Sequence, residues 1–341
     1  MPNILTMHDV PCPLCGSENN TPVFTSPDWT GTAAGDFRLV RCRACQHRYL
    51  NPMPVDESLA DCYPQDYGPH QRAIGRPATH GGTGQLNRSQ PPKIPWYLSS
   101  WVRSIPGPLA YYRWVTDTKS VWVPSEDGAG RRALELGCSS GWFLAQLRNR
   151  GWSPVGVDLV EGPLTKARDA GFEVHHGTLD SVQFDAECFD AVFAWMVIEH
   201  VPRPKETLRA IHSVLKPGGH FAFSIPNVAS WESRLFGRHW RGYDLPRHPQ
   251  HFTPRVIRTL LNDEGFEVKA ISHQPSFLYW IGSAGSWLRE TFPNWSLGAT
   301  LMEQYENQPP LWSYLLLGPL GSLNALMHQS GRLTIIASRK S

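Results

Sequence analysis

The sequence predicts an α/β fold in which a parallel sheet is covered by helices and a small β-rich unit precedes the sheet. From residue 131 onward, apolar runs of strand length alternate with amphipathic stretches of helix length, which is the pattern of such a sheet. The β-rich unit is indicated by short alternating runs around paired cysteines in residues 12–50. The 341 residues, 41% of them apolar, suffice for two domains or for one domain with insertions.

Composition divides the chain into four segments. A glycine- and proline-rich polar stretch predicts a flexible linker or loop, and the residues after it predict a helical connection. The four predicted segments are a cysteine-containing region (1–67), the linker (68–95), the helical connection (96–130) and the α/β domain (131–341) with an insertion at 275–331.

Seven strands and the helices between them are predicted in the second half from the periodicity of apolar residues. The predicted strands cover residues 132–136, 154–158, 172–175, 189–195, 220–225, 266–272 and 333–338. The predicted helices cover residues 142–150, 162–170, 205–215 and 254–264. The insertion is rich in aromatic residues, including Trp280, Trp287, Trp295 and Trp312.

Four of the seven cysteines form two Cys-x-x-Cys pairs. A tight turn can point two cysteine sulfurs with this separation at one metal ion, so Cys12, Cys15, Cys42 and Cys45 are predicted to bind a structural Zn²⁺ in a zinc ribbon. Four sulfur ligands leave the ion no open position for chemistry. The alternatives are reduced cysteines packed as small apolar residues and, less favoured, a redox pair, because neither pair opens a helix.

A glycine-rich turn follows the strand at 132–136. Its sequence, Glu135-Leu-Gly137-Cys138-Ser-Ser-Gly141, matches neither the dinucleotide-binding pattern nor a phosphate-binding P-loop. The glycines let a ligand approach the backbone, and the turn suits a cofactor that carries an amino-acid group. Asp158 ends the next strand, where a carboxylate can bind both hydroxyls of a ribose.

These segments resemble the class I S-adenosylmethionine-dependent methyltransferases. The turn is similar to the family's first motif, Asp158 to its ribose-binding acid, and Gly177-Thr178-Leu179 to the segment that meets the adenine. Residues 189–201 resemble the motif of the fourth strand, and residues 215–219 resemble the turn before the fifth. The resemblance implies a Rossmann-like sheet of seven strands and a bound S-adenosyl-L-methionine. The implied cofactor-binding residues are Glu135, Gly137, Cys138, Gly141, Asp158, Leu159, Thr178, Leu179 and Trp195.

The chain departs from the family at Thr178, where many members carry aspartate. A carboxylate for the adenine amino group then comes from Asp180 or is absent. A looser resemblance links the N-terminal region to bacterial methyltransferases that include sugar C-methyltransferases, and residues 246–254 resemble a segment of methyltransferases near polysaccharide and glycolipid gene clusters. These resemblances imply O- or C-methylation of a small-molecule, sugar or glycolipid acceptor.

Candidate catalytic groups follow the fourth and fifth predicted strands of the sheet. Glu199 and His200 follow the fourth strand at the edge where open α/β folds bind ligands, and His200 is the leading candidate for a general base. Glu199 and His200 could instead orient the loop or touch the cofactor. His248 and His251 lie after the fifth strand and could share a metal with Glu199 or hold the acceptor. A substrate-binding role is favoured over a metal for at least one residue of this segment: Asp244, Arg247, His248 or His251. Alternatively, His251 only precedes the helix that starts near Pro254.

Charge helps to choose between functions. The formal charge of +2 gives no excess of basic residues for binding RNA, which disfavours an RNA methyltransferase that grips RNA with the zinc ribbon. The four arginines of the first 50 residues are the feature that keeps this alternative open: Arg38, Arg41, Arg43 and Arg48. An inactive methyltransferase fold serving as a scaffold is disfavoured because the cofactor motifs are intact.

Localisation is predicted to be cytoplasmic, since the N-terminus shows no secretory leader pattern and the thiols are expected to stay reduced. Residues 311–327 are apolar but too interrupted to span a bilayer. The insertion either packs as a lid or subunit interface, or contacts the inner face of the membrane peripherally. An oligomer is compatible with the sequence.

Overall fold

The computed structural model describes residues 2–63, 122–124, 128–307 and 309–340. The predicted linker and helical connection lie outside these residues, except for 122–124 and 128–130, which belong to no helix. Across the described ranges, no helix combines the length and apolar character that crossing a bilayer requires.

The N-terminal region is built from short antiparallel strands: β1 (Met7–His8), β2 (Asn20–Pro27), β3 (Asp36–Cys42), β4 (Arg48–Leu50) and β5 (Met53–Pro54). Strands β2, β3 and β4 pair in that order, and β1 pairs with β5. Leu39 and Leu50 face each other across β3 and β4, and both are fully buried. These leucines belong to an apolar core that the N-terminal region shares with side chains of the second half, such as Trp240 and Leu245.

The second half contains seven strands of one sheet, and all seven predicted strands are confirmed. They are β6 (Arg132–Leu136), β7 (Ser153–Asp158), β8 (Glu173–His176), β9 (Phe189–Trp195), β10 (Leu215–Pro226), β12 (Phe266–His273) and β13 (Arg332–Arg339), while β11 (Gln250–His251) belongs to the N-terminal sheet. The order is β12-β13-β10-β9-β6-β7-β8. The sheet is mixed rather than wholly parallel, because β13 runs antiparallel to both of its neighbours.

Eight helices connect and cover these strands in the described part of the chain. They are α1 (Trp142–Arg148), α2 (Glu161–Asp169), α3 (Pro204–Val214), α4 (Trp231–Phe236), α5 (Pro254–Asp263), α6 (Leu278–Thr291), α7 (Ser296–Glu306) and α8 (Leu311–Leu326). Local sequence fixes where α5 begins: the Thr253 hydroxyl accepts a hydrogen bond from the Val256 amide, and Pro254 fits the first helical position.

Strands β6 and β9 are neighbours in the sheet, but the strands that follow them in the chain lie on opposite sides. At such a switch point the loops leave the two carboxyl ends in opposite directions and open a crevice between them. The chain runs outward from β6 through β7 to β8, and outward on the other side from β9 to β10. The glycine-rich turn after β6 and the Glu199-His200 pair after β9 therefore lie at the same edge of the sheet.

The N-terminal sheet gains its fourth strand from the second half of the chain. Gln250 pairs with Tyr49 and His251 pairs with Arg48, so β11 extends the sheet beside β4. Next to this pairing, the buried His47 shares a hydrogen bond of 2.8 Å between its Nε2 and Gln250 Oε1. The segment before β11, residues 240–249, is consequently held between the N-terminal region and the main sheet.

Candidate functional site

The glycine-rich turn is shaped by close packing at both of its glycines. Gly137 has a φ of +70°, and a Cβ there would lie 2.6 Å from Val197 Cγ2 in the loop after β9. Gly141 has a φ of +84°, and a Cβ would lie 3.1 Å from the Cβ of Ala167 on α2. Both positions therefore need glycine for packing of the turn, Gly137 against the loop after β9 and Gly141 against α2.

Asp158 joins two loops at the carboxyl edge. Its Oδ2 accepts a hydrogen bond of 2.8 Å from the Ser139 amide, and its Oδ1 accepts one of 2.9 Å from the Val160 amide. Each carboxylate oxygen keeps a further lone pair for a hydroxyl group. The next side chain, Leu159, is apolar and 61% exposed. A carboxylate fixed beside an exposed apolar side chain fits the ribose and the ring of an adenosine.

The side chains of several other predicted cofactor residues are buried or packed against aromatic rings. The side chains of Cys138 and Leu179 are buried in apolar clusters, and Glu135 is also buried. Trp195 packs edge-on against Phe143, with the ring centroids 5.4 Å apart. The side chains of Cys138 and Leu179 are therefore structural, and a cofactor contact at these two residues would come from their backbone.

Thr178 and Asp180 lie in the exposed segment after β8. The Thr178 amide donates to Ser181 Oγ over 2.9 Å, which closes a tight turn. Asp180 lines a surface cleft of about 560 Å³ together with Leu179 and Val182. The Asp180 carboxylate is therefore exposed two residues after Thr178, and its role toward an adenine stays a prediction.

A cluster of Glu199, His200 and His248 is the main feature of the other side of the crevice. One ligand atom from each residue lies within 4.8 Å of the other two. Glu199 and His200 are brought there by a single helical turn at Ile198–His200, directly after β9. These three groups could hold a divalent cation. The sequence suggested a metal shared by Glu199, His248 and His251, but His251 lies in β11 and His200 takes its place in the cluster.

Both histidines of the cluster are fixed in one tautomer. His200 Nδ1 lies 2.9 Å from the Arg247 carbonyl oxygen and 2.8 Å from the Tyr63 hydroxyl. His248 Nδ1 lies 3.1 Å from the Gly242 carbonyl oxygen. A carbonyl only accepts, so each Nδ1 carries the hydrogen and each Nε2 is left as an acceptor. Burial, and the proximity of the other imidazole, lower the pKa of His200 well below 6.5, so the ring is neutral at pH 7.

Glu199 is fully buried, and in the described structure its carboxylate has no hydrogen-bond partner apart from its own amide. Burial raises the pKa of Glu199 to about 8, which outweighs the opposing effect of the Arg332 charge. Glu199 is therefore mostly protonated at pH 7 in the absence of a bound cation.

Arg247 holds the segment between β10 and β11 to the N-terminal region. Its guanidinium donates twice to Asp28, twice to Asp244 and once to the Cys62 carbonyl, at distances of 2.7–3.1 Å. Burial opposes ionisation of both aspartates, yet the Arg247 charge and hydrogen bonds hold the pKa of Asp28 and Asp244 below the usual range. All five N–H groups of Arg247 are engaged, so none remains for a ligand.

The N-terminal region thus reaches the candidate site directly. Tyr63 touches His200, Asp28 pairs with Arg247, and Arg48 donates to the Tyr243 hydroxyl over 3.3 Å. Neither Tyr63 nor Asp28 was predicted to have a role. No local pattern signals such contacts, because the partners are separated by more than 130 positions in the chain.

The four predicted zinc ligands converge in the structure. Cys12 Sγ lies 3.5 Å from Cys45 Sγ, Cys15 Sγ lies 3.5 Å from Cys42 Sγ, and all four sulfurs lie within 4.8 Å of one another. Tetrahedral zinc with Zn–S bonds of about 2.3 Å separates its sulfurs by about 3.8 Å. The donor set and its spacing therefore fit one structural zinc ion.

Comparisons with known proteins agree on one family. A family model described as "Methyltransferase domain" matches residues 113–271. The ubiquinone biosynthesis O-methyltransferase of Pseudomonas paraeruginosa is 31% identical over 164 residues, which are 44% of this chain and 71% of that protein. The protein of the same name from Stutzerimonas stutzeri is 30% identical over 156 residues, covering 42% and 67% of the two chains.

A similar solved structure is that of an S-adenosylmethionine-dependent methyltransferase from Mesorhizobium loti. It is 20% identical to this chain, with a TM-score of 0.42, and the match covers 63% of this chain and 93% of the other.

Proposed function

The chain belongs to the class I S-adenosylmethionine-dependent methyltransferases, and we propose that it methylates a hydroxyl group of a small-molecule or sugar acceptor, with His200 as the general base. The observation that carries this proposal is the hydrogen bonding of His200. Its Nδ1 is occupied by the Arg247 carbonyl and the Tyr63 hydroxyl, which leaves Nε2 free to accept a proton at the carboxyl edge. The relatives named O-methyltransferases support an oxygen acceptor.

On this proposal, the glycine-rich turn, Asp158 and Leu159 bind the cofactor. The Asp158 carboxylate binds the ribose hydroxyls while its bonds to the Ser139 and Val160 amides keep the two loops together. The backbone of residues 137–141 accommodates the amino-acid part. Bound S-adenosyl-L-methionine supplies an electrophilic methyl group.

His200 acts on the acceptor. The acceptor hydroxyl loses its proton to His200 Nε2 as its oxygen bonds to the methyl carbon and the carbon–sulfur bond breaks. The pKa of His200, lowered by burial, keeps the ring neutral and able to accept this proton at pH 7. Tyr63 and Arg247 do not take part in the bond changes; they position the ring, which aligns the acceptor for in-line displacement.

The zinc ribbon is proposed to bind Zn²⁺ through Cys12, Cys15, Cys42 and Cys45 and to position catalytic groups. The ion would tie the turn of Cys12 and Cys15 to the carboxyl end of β3 and the turn before β4. Strand β4 in turn pairs with β11, which follows the segment that carries His248. An RNA acceptor is less favoured, because Arg38 donates to the Asn51 carbonyl and Arg48 to Tyr243 instead of both being free for phosphates.

The acceptor class can be tested while the acceptor molecule is still unidentified. Purified protein is incubated with methyl-labelled S-adenosylmethionine and a fractionated cell extract, with the His200→Ala variant as the matched control. We expect label in small polar or saccharide fractions, stable to mild base as methyl ethers are, and only with the wild-type protein. Label in RNA, or equal labelling by the variant, contradicts the proposal.

A peripheral membrane contact through residues 311–327 is a further proposal from the sequence. Several large apolar side chains of α8 are exposed, namely Trp312, Leu315, Leu316, Leu323 and Leu326. Flotation with anionic liposomes tests the contact. We expect co-migration that is lost in the Leu315→Glu, Leu316→Glu double variant, and absence of co-migration by the folded wild-type protein at low salt contradicts it.

A further inference from the structure

Two buried arginines, Arg241 and Arg332, lie near the histidine cluster and have no role in the chemistry above. Each has a relative exposure of 4%. Arg332 opens β13 and interacts electrostatically with Glu199, while Arg241 precedes the segment that carries His248. Tyr305 of α7 lies within electrostatic reach of both guanidinium groups, with the Arg241 guanidinium 5.4 Å from its ring centroid. We call the buried region formed by Glu199, Arg241, Tyr279, Tyr305 and Arg332 the buried chamber, because electrostatic interactions link these side chains through Tyr305 and Arg332.

The donors of these two arginines are unmatched in the described structure. Nε and one terminal nitrogen of Arg241, and likewise Nε and one terminal nitrogen of Arg332, are buried without a hydrogen-bond acceptor. The nearest acid to Arg241 is Asp244 at 3.9 Å, and that carboxylate already accepts two hydrogen bonds from Arg247. A buried cation without acceptors is costly, and proteins seldom keep one that has no partner.

Arg247 provides an internal comparison. It is as deeply buried as the other two, but every one of its N–H groups has an acceptor within the protein. Arg247 thus has the hydrogen bonding of a structural buried arginine, which Arg241 and Arg332 lack. Their free donors indicate that the missing acceptor is supplied by a ligand.

Two glycines allow close packing in the buried chamber, one against Arg241 and one against Tyr279. A Cβ at Gly282 of α6 would lie 2.9 Å from Arg241 Cγ and 2.7 Å from the Tyr305 ring. A Cβ at Gly331 would lie 2.9 Å from the Tyr279 ring. The insertion helices α6 and α7 therefore pack closely around Arg241 and supply the two tyrosines of the buried chamber.

We propose that the buried chamber binds a carboxylate of the acceptor through Arg241 and Arg332, so that the methylated molecule is an acidic hydroxy compound such as a sugar acid or hydroxy acid. The charges favour a negatively charged ligand: Arg247 pairs with Asp28 and Asp244, and Arg241 has only the shared Asp244 at 3.9 Å. Arg332 takes part in none of these ion pairs, and the carboxyl that acts on it electrostatically is the buried Glu199. The planar guanidinium groups suit bidentate binding of a carboxylate. This inference rests on the proposed function, because it takes the chamber as part of the acceptor site.

The test uses acetate as the probe and acetamide as its neutral isostere, at constant ionic strength. Melting temperatures are measured for the wild type, for the Arg241→Gln, Arg332→Gln double variant, and for Arg234→Gln on the exposed face of α4 as the matched control. We expect acetate to raise the melting temperature of the wild type and of the control in a saturable way, with no effect of acetamide. The double variant should need at least tenfold more acetate for the same rise.

Equal effects of acetate and acetamide on the wild type overturn the inference, and this comparison needs no variant to fold. The inference is also overturned if acetate raises the melting temperature of the double variant as much as that of the wild type. A larger rise with phosphate than with acetate overturns the choice of a carboxylate as the ligand. The melting temperature of the ligand-free Arg332→Gln variant is also compared with that of the ligand-free wild type. A value far below the wild type would show that Arg332 stabilises the fold and does not serve to bind a carboxylate. S-adenosylhomocysteine is titrated separately: absence of its binding contradicts the proposed function, whereas normal binding with no acetate response contradicts only the carboxylate site.

Discussion

The glycine-rich turn and the histidine cluster share one edge of the sheet but are built in different ways. The turn and Asp158 lie within 22 residues of one another and are joined by hydrogen bonds from backbone amides. The histidine cluster is held by side chains from distant segments, and the Asp28–Arg247 pair spans 219 positions. The half proposed to bind the cofactor, called the cofactor half, is therefore local and defined by backbone. The half proposed to bind the acceptor, called the acceptor half, depends on how the N-terminal region docks.

Loss of the proposed zinc ion is expected to have the largest effect on the acceptor half, because that half depends on the N-terminal region. Cys12→Ser with Cys15→Ser should abolish zinc binding and loosen the N-terminal sheet, since a structural zinc site contributes on the order of 10 kcal/mol. Tyr63 and Asp28 then lose their fixed positions, and we expect turnover to fall at least about 100-fold. S-adenosylhomocysteine affinity should change by less than about threefold, because the turn and Asp158 are held by local bonds.

The measurements are elemental analysis for zinc, a methyl-transfer assay and calorimetry. Cys188→Ser, which lies outside the four-cysteine cluster, is the matched control and should keep one zinc per chain. A wild-type protein with well under one zinc per chain, or a zinc-free variant with normal turnover, would show that the acceptor half does not need the ribbon.

Substitution of the base should affect the acceptor half alone. His200→Ala is expected to lower turnover by about 10² to 10⁴ with cofactor affinity nearly unchanged. In the wild type, the neutral ring is the active form, so activity should persist at pH 7 and fall as the pH drops through the lowered pKa, below 6.5. Steady-state kinetics across pH with the exposed His8→Ala as control provide the test, and a loss confined to cofactor affinity would make His200 a cofactor-binding residue.

The smallest effect is expected on the cofactor half. Asp158→Ala removes the acceptors for two loop amides and for the ribose, and hydrogen bonds to a charged group contribute about 1.5 to 3 kcal/mol each. We expect S-adenosylhomocysteine to bind about 10- to 100-fold more weakly by calorimetry. Asp169→Ala, at the exposed end of α2, is the control. Unchanged affinity of a folded Asp158→Ala protein would remove Asp158 from the cofactor site.

The placement of the glycine-rich turn beside Asp158 was predictable from the sequence because its determinants are short-range. Alternating apolar runs located all seven strands, and the turn and Asp158 follow directly from the ends of β6 and β7. The direction of β13 was not predicted, since periodicity carries no information about the orientation of a strand. The convergence of four cysteines was also predictable, because paired spacing constrains each half of the cluster.

The acceptor half was only partly predictable. Glu199, His200 and His248 were identified as candidates, but their grouping without His251 depends on β11 pairing with β4. Arg241 and Arg332 follow no motif, since one lies in a loop and the other at the start of the last strand. Contacts between such distant segments arise from tertiary packing, which local propensity does not encode.

The pairing of β11 with β4 has a consequence for how this chain is made and how it can be engineered. During synthesis, β4 emerges about two hundred residues before the segment that completes its sheet, so one edge of the N-terminal sheet stays unpaired for most of translation. Exchanging residues 2–63 for those of another enzyme would remove the template for β11 along with the metal ligands. The N-terminal region is thus not a transplantable module: a functional chimera must take residues 240–251 from the same parent.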